Sequence, residues 1–167
     1  PECPRPRPLR QNPTIREYAL NTVGNVASRD RRGEINAIFQ RVKKEIAFRG
    51  EFGETVQDPV LTLRWKAGDC DDHATLLASL LLALGYDVEF VTVAPQGEEF
   101  SHVYVQVLDR DIGNWLPLDT TVRSSYPGWE PYNPRRRQAW GEMNGLRGLA
   151  GCGGCMGDDP NYVNSSI

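Results

Sequence analysis

The order of helical and strand patterns in this 167-residue chain predicts an α+β fold. Two stretches with apolar residues at helical spacing come first, and a third, nearly apolar helix follows over 70–84. Three stretches with strand-like alternation come next, at 88–94, 102–108 and 115–118. Short turn-rich connections join these stretches. We therefore expect one antiparallel sheet packed against the apolar helix.

The first two helices are predicted to be amphipathic. Thr14 is expected to cap the first, because Glu17 follows three residues later, as in a capping box. A polar stretch at 30–33 interrupts the pattern, and a stronger helix follows it. One face of that helix is apolar and should be buried, with Ile35, Ile38, Phe39, Val42 and Ile46.

The third helix should begin at Cys70. Asp69 is placed to cap it through the backbone N–H groups of Asp71 or Asp72, and Gly85 is placed to end it. Its residues are apolar nearly all round after the first turn, so the whole helix should be buried. The preceding segment 60–65 is expected to form a short helix or an extended approach.

The two ends of the chain differ from its middle in composition. Residues 1–13 hold five prolines and three arginines, and they predict an extended arm. We expect the folded domain over 14–125, and a Pro- and Gly-rich wrap or flexible tail over 126–167. Cys152 and Cys155 form a CxxC in that tail. A loose or absent disulfide is the simplest interpretation, and a metal clip or redox pair is the alternative.

Charge and hydropathy exclude several functional classes. The net charge of −3 gives no strong partner preference. The locally basic stretches 1–32 and Arg135–Arg137 are short, and such runs are usually solvated, so we expect no nucleic acid partner. The longest apolar run is too short to cross a membrane, and no signal peptide is visible. We expect a cytoplasmic or virion-associated protein. The oligomeric state is not predicted.

Three residue types suited to nucleophilic catalysis fall at the ends of predicted elements. Cys70 begins the apolar helix, where free N–H groups stabilise a thiolate, although neighbouring carboxylates oppose this. His102 opens the second strand and would act as base. Asp119 closes the third strand and would orient the imidazole. His73, the other histidine, lies three residues after Cys70, and its ring would flank the thiol or cap the first turn.

The segments that carry these residues resemble the transglutaminase-like superfamily of papain-type folds. GDCDDHATLLASLLLALGYDVEFVTV, SHVYVQV and WLPLDTT match a family pattern in order. In that pattern a G-[DE]-C segment starts a helix, a histidine opens a strand, and an aspartate follows W-x-x-[LVI]. The resemblance implies a papain- or transglutaminase-like core, with Cys70, His102 and Asp119 as the catalytic triad. The sequence around Cys70 is similar to that of small bacterial and bacteriophage-encoded members of the superfamily.

The resemblance also implies a reaction. In the superfamily the cysteine forms a thioester with an amide carbonyl of a protein or peptide. Water then gives hydrolysis, or an amine gives transamidation. The backbone N–H of Cys70 would hold the oxyanion with a second donor, for which Trp65 and Gln57 are both candidates.

The sequence also bears on cofactors and on a non-enzymatic alternative. No cofactor or metal is expected, because adjacent carboxylates such as Asp69, Asp71 and Asp72 are mostly caps at a helix start. The alternative to an enzyme is a catalytically silent structural or interaction module that keeps the fold, for example in a phage particle.

Overall fold

A computed structural model describes residues 12–50, 56–97, 99–130 and 133–141. These residues confirm the α+β fold, with helices and one four-stranded antiparallel sheet. The helices are α1 (Pro13–Val23), α2 (Arg31–Glu45), α3 (Pro59–Trp65) and α4 (Cys70–Ala83). The strands are β1 (Ala47–Phe48), β2 (Ala67–Gly68), β3 (Val88–Ala94), β4 (His102–Asp109), β5 (Asn114–Leu118) and β6 (Arg136–Gly141).

Helix α1 begins earlier than the sequence pattern predicts. The side chain of Asn12 accepts hydrogen bonds from the backbone N–H groups of Thr14 and Ile15, at 3.0 and 3.4 Å. Asn12 is therefore the cap, and the expectation that Thr14 caps the helix is wrong. Pro13 explains the difference. Its fixed φ suits the first helical position, where a backbone N–H would have no partner within the helix, so the lack of an N–H in proline costs nothing there.

Helix α4 is the centre of the fold. It packs against β3 and β4 on one side and against α1, α2 and α3 on the other. Every residue from Asp72 to Ala83 is buried. A helix covered on all sides has no solvent face, which explains the nearly continuous apolar sequence. The N-terminal end of α4 reaches the start of β4 and the end of β5.

The large sheet has the order β5-β4-β3-β6, and all neighbouring pairs are antiparallel. The edge strand β6 was not predicted, because 126–167 was expected to contain only surface wrap or tail. Its residues alternate between exposed and half-buried, so it lacks the apolar alternation that marked the other strands. Trp140 still fixes it, since the indole Nε1 donates to Thr92 Oγ1 at 2.9 Å. Residues 142–167, with Cys152 and Cys155, lie outside the described residues.

A second, two-stranded sheet lies directly before the nucleophile helix. Strands β1 and β2 are parallel, and Phe48 pairs with Gly68, two residues before Cys70. The pair ties the end of α2 to the turn that leads into α4. Within the described ranges, the helices are all too short or too polar to cross a bilayer.

Candidate active site

Cys70 is the first residue of α4, as the sequence predicts. Asp69 Oδ1 accepts from the backbone N–H groups of Asp71 and Asp72, at 3.0 and 3.2 Å. Asp72 Oδ2 accepts in return from the backbone N–H of Asp69 at 3.2 Å, which completes a capping box. The predicted cap is therefore confirmed, and the backbone around Cys70 is fixed from both sides.

The thiol of Cys70 lies half-buried against the start of β4. The backbone N–H of Val103, the residue after His102, donates to the sulfur. The thiol itself donates to Asp71 Oδ1, 3.7 Å away. Burial, and then the negative charge of Asp71, raise the pKa of Cys70 to about 12. The resting thiol is therefore protonated at neutral pH, and a base must take its proton if it is to attack a carbonyl.

His102 and Asp119 form a close pair. The ring Nε2 of His102 lies 2.7 Å from Asp119 Oδ2. The Asp119 side chain is fully buried, whereas His102 is 19% exposed. With Nε2 directed to the carboxylate, Nδ1 is the nitrogen left to exchange a proton with a nucleophile.

The carboxylate of Asp119 is held in place on both oxygens. Oδ1 accepts from the backbone N–H and the hydroxyl of Thr121, at 2.9 and 2.7 Å. Burial alone would raise the pKa of Asp119, but the hydrogen bonds from His102 and Thr121 outweigh burial and hold that pKa below its usual value. Asp119 is therefore a buried anion, ready to orient the imidazole and to stabilise it when it becomes charged.

Sheet register explains why two residues 17 positions apart meet. Val105 pairs with Leu118 across β4 and β5. One step further along this antiparallel register, Asp119 faces Tyr104, and His102 lies diagonally across the same face. The N-terminal end of α4 meets β4 at Val103, so all three predicted catalytic residues lie at one end of the core. In the described part of the chain the Cys70 thiol bonds to Asp71 and not to His102.

The two candidate oxyanion donors lie in different surroundings. Trp65 ends α3, and its side chain is 60% exposed. Gln57 lies against the first turn of α4, where its backbone N–H and its Nε2 donate to the two oxygens of Asp72, at 2.7 and 2.6 Å. The buried Oε1 of Gln57 has no hydrogen-bond partner in the part of the chain that the structure describes. Both residues remain predictions as second oxyanion donors.

Two contacts at the site were not visible in the sequence. The ring of His73 bonds to the hydroxyl of Thr120, the residue after Asp119, at 2.9 Å. The fully buried carboxylate of Asp72 anchors Gln57. Both pairs join residues far apart in sequence, so only the helical position of His73, three residues after Cys70, offered a signal. Across the described ranges, no cluster of three or more His, Cys, Asp or Glu side chains is arranged to hold a metal ion.

Comparison with known proteins identifies a family. The model of the transglutaminase-like superfamily matches residues 17–120, well over half of the chain. No protein among curated sequences matches.

Solved structures share the fold at low sequence identity. A candidate protease from Parabacteroides distasonis has a TM-score of 0.57 and 18% identity, covering 71% of this chain and 25% of that one. A candidate cysteine protease from Cytophaga hutchinsonii has a TM-score of 0.58 and 18% identity, covering 81% of this chain and 49% of that one. The chain thus spans about a quarter of the first protein and half of the second.

LapG from Legionella pneumophila is closer in size. It has a TM-score of 0.59 and 13% identity, covering 81% of this chain and 90% of LapG. LapG is also known in an EGTA-treated and a calcium-bound form. At these identities the likeness shows the fold alone, which is cysteine-protease-like.

Proposed function

The chain belongs to the transglutaminase-like superfamily, and from this premise we propose that it is a cysteine-dependent enzyme acting on amides of proteins or peptides. Cys70 is the nucleophile, His102 the general base and then acid, and Asp119 the residue that orients His102. The product of the first step is a thioester. Hydrolysis is the favoured outcome over transfer to an amine, because water is always present and the described residues show no amine-binding feature.

One observation carries the proposal. A buried Asp119 carboxylate lies 2.7 Å from Nε2 of a partly exposed histidine, at the same end of the core as a helix-terminal cysteine. A buried anion is costly unless it is paired. An ordinary core has no need of such a pair, whereas acyl transfer needs an imidazole with a fixed tautomer.

The protonated thiol determines the order of events in the first step. When a substrate carbonyl reaches Cys70, Nδ1 of His102 takes the thiol proton as the C–S bond forms. The carbonyl oxygen becomes an oxyanion, and the backbone N–H of Cys70, which has no partner within the helix, is placed to donate to it. His102 then passes the proton to the leaving nitrogen. The C–N bond breaks, and an amine and a thioester result.

The second step reverses these roles. His102 Nδ1 takes a proton from water, the oxygen attacks the thioester carbonyl, and the C–S bond breaks. The carboxylic acid leaves, and the proton returns to the sulfur. Throughout both steps Asp119 holds Nε2 and stabilises the transient imidazolium.

A second function is favoured by the state of the thiol. Burial and Asp71 raise the pKa of Cys70 to about 12, which disfavours a nucleophile. A catalytically silent module would keep Cys70 as a small core residue and use the domain only for assembly. Such a module tolerates Cys70→Ala without loss of function.

A peptide-library experiment separates the two functions. The full chain is incubated with peptides prepared from a whole proteome, and mass spectrometry records new termini, amide-to-acid conversion and added amines. We expect products with wild type and none with Cys70→Ala or His102→Ala. Asp111→Asn, which changes an exposed carboxylate on the β4–β5 connection, is the matched control and should behave as wild type.

Each reaction is run with added calcium and with EGTA, because LapG has been solved in both states. Products that persist in Cys70→Ala would contradict the assignment of the nucleophile. If no products form in any condition and Cys70→Ala folds like wild type, the result would favour the silent module.

A further inference from the structure

His73 is a buried titratable residue that takes no part in the proposed steps. His73 is 1% exposed and lies in the first turn of α4, three residues after Cys70. Its Nδ1 lies 2.9 Å from Thr120 Oγ1. The side chains of His73, Cys70, Asp119 and Thr120 border the same small space, which has no room for a water molecule. A polar ring enclosed in this way needs a reason beyond filling volume.

The position of the ring proton follows from its surroundings. Burial lowers the pKa of His73, so the imidazole is neutral near pH 7 and has one donor and one acceptor nitrogen. The carbonyl of Ala47 favours a proton on the ring, and Nδ1 is already taken by Thr120. We therefore expect the proton on Nε2, which has no hydrogen-bond partner of its own among the described residues. Nδ1 then accepts from the Thr120 hydroxyl.

This bond joins the two halves of the site. Thr120 lies between Asp119, which faces His102, and Thr121, whose N–H and hydroxyl hold the other carboxylate oxygen. His73 lies on the helix that begins with Cys70. The contact between His73 and Thr120 is therefore a direct link between the nucleophile helix and the loop that carries the orienting carboxylate.

The ring is also supported on its other side. The ring of Phe48, on β1, lies 6.3 Å from that of His73 at an interplanar angle of 53°. Farther along the loop, Ser125 Oγ donates to the carbonyl of Asp119, and Lys43 donates to Ser125. Those contacts anchor the loop to α2, whereas the contact of His73 with Thr120 anchors it to α4.

We propose that His73 is a positioning residue that fixes the loop 119–121 on the nucleophile helix through the Thr120 hydroxyl, and so directs Asp119 at His102. The inference rests on the proposed function for its catalytic consequence. A displacement of Asp119 on the ångström scale would lower kcat by about 10- to 100-fold and leave KM unchanged, because His73 is buried and offers no surface for binding a substrate.

The test uses the fact that the chain has only two histidines. Uniform ¹⁵N labelling of histidine gives two ring systems by NMR, and the proton on His102 Nε2 reports its hydrogen bond to Asp119. Thr120→Val removes the hydroxyl and keeps the shape, whereas Thr120→Ser keeps the hydroxyl. Wild type should show His73 protonated on Nε2, with Nδ1 as acceptor.

We expect Thr120→Val to change the ¹⁵N chemical shift of His73 Nδ1. It should also speed solvent exchange of the His102 ring proton by roughly fivefold or more, the scale of one lost hydrogen bond. Thr120→Ser should match wild type. If Thr120→Val shifts His73 but leaves the His102 proton exchange within twofold of wild type, the proposal is overturned.

If circular dichroism shows that Thr120→Val does not fold, a second pair of variants tests the same proposal. His73→Asn places an acceptor near the Nδ1 position and should retain the slow His102 proton, whereas His73→Leu should lose it. Equal exchange in the two variants would also overturn the proposal. A wild type without thiol chemistry but with the predicted NMR pattern would refute the proposed function and leave the positioning role standing. An active wild type whose Thr120→Val variant keeps its kcat would support the proposed function and refute the positioning role.

Discussion

Replacing Asp71 by Asn should make the Cys70 thiol more reactive, although it changes a residue beside the proposed nucleophile. Burial is the largest cause of the raised thiol pKa, and the Asp71 carboxylate is the next. Asn is similar in shape, so the substitution removes the charge and changes burial little. The variant therefore separates the electrostatic contribution from desolvation.

The distance sets the size of the effect. With Sγ and Oδ1 3.7 Å apart, two unit charges repel by about 1 kcal/mol in a water-like medium and by about 4 kcal/mol at an effective dielectric of 20. These energies correspond to roughly 1 to 3 pKa units. At pH 8 a thiol with a pKa of about 12 is ionised in about 1 molecule in 10,000, so the thiolate fraction should rise about tenfold or more.

The assay is alkylation by iodoacetamide between pH 6 and 10. Mass spectrometry follows the peptide that contains Cys70, because the chain has three other cysteines. The rate for Asp71→Asn should exceed that of wild type at every pH below the thiol pKa. Asp111→Asn is the control and should leave the rate unchanged. Equal or slower alkylation of Asp71→Asn would refute the view that this carboxylate holds the thiol proton.

Three other substitutions test the site and the stability of the fold. Asp119→Asn should lower kcat by about 10³- to 10⁴-fold at unchanged folding, because the amide favours the wrong imidazole tautomer, and steady-state kinetics on a library-derived peptide measures this. Glu45→Gln should cost about 1 kcal/mol of unfolding free energy at pH 7. Its hydrogen bond from Lys66 is the main cause that lowers the pKa of Glu45 from 4.5 to about 2, so this stability is present above pH 4.5 and lost as pH falls toward 2. Urea unfolding at pH 7, 4 and 2 should therefore show the difference between Glu45→Gln and wild type disappear. Gly68→Ala should destabilise by about 1–3 kcal/mol in urea at pH 7, because its Cβ would lie 2.5 Å from that of Asp72; wild-type stability would contradict that clash.

Local patterns were sufficient for the central part of the fold. The predicted helix 70–84 is α4 (Cys70–Ala83), and the predicted strand 88–94 is β3. Both succeed because burial imposes a strong pattern, continuous in the helix and alternating in the strand. The edge strand β6 was missed for the opposite reason. Half of its residues face solvent, so polar and basic side chains hide the strand period.

The candidate site was predictable in part for a similar reason. Cys70, His102 and Asp119 each stand at the end of an element, a position that the sequence reveals. Contacts such as that of His73 with Thr120 depend on how the elements pack, and no local pattern encodes them. The sequence indicated that neighbouring carboxylates oppose a thiolate, but the net rise in the thiol pKa could not be predicted, because the distance to the Asp71 carboxylate and the depth of burial appear only in three dimensions.

The most direct test of the triad is the rate of Cys70 alkylation in His102→Ala and in wild type, compared from pH 6 to 10. If His102 takes the thiol proton, the wild-type rate near pH 8 should exceed that of His102→Ala by roughly tenfold or more. Asp119→Asn should fall between the two. Equal rates in wild type and His102→Ala across the whole range would show that the thiol and the imidazole are not coupled, and would contradict the account of this chain as a cysteine-dependent enzyme.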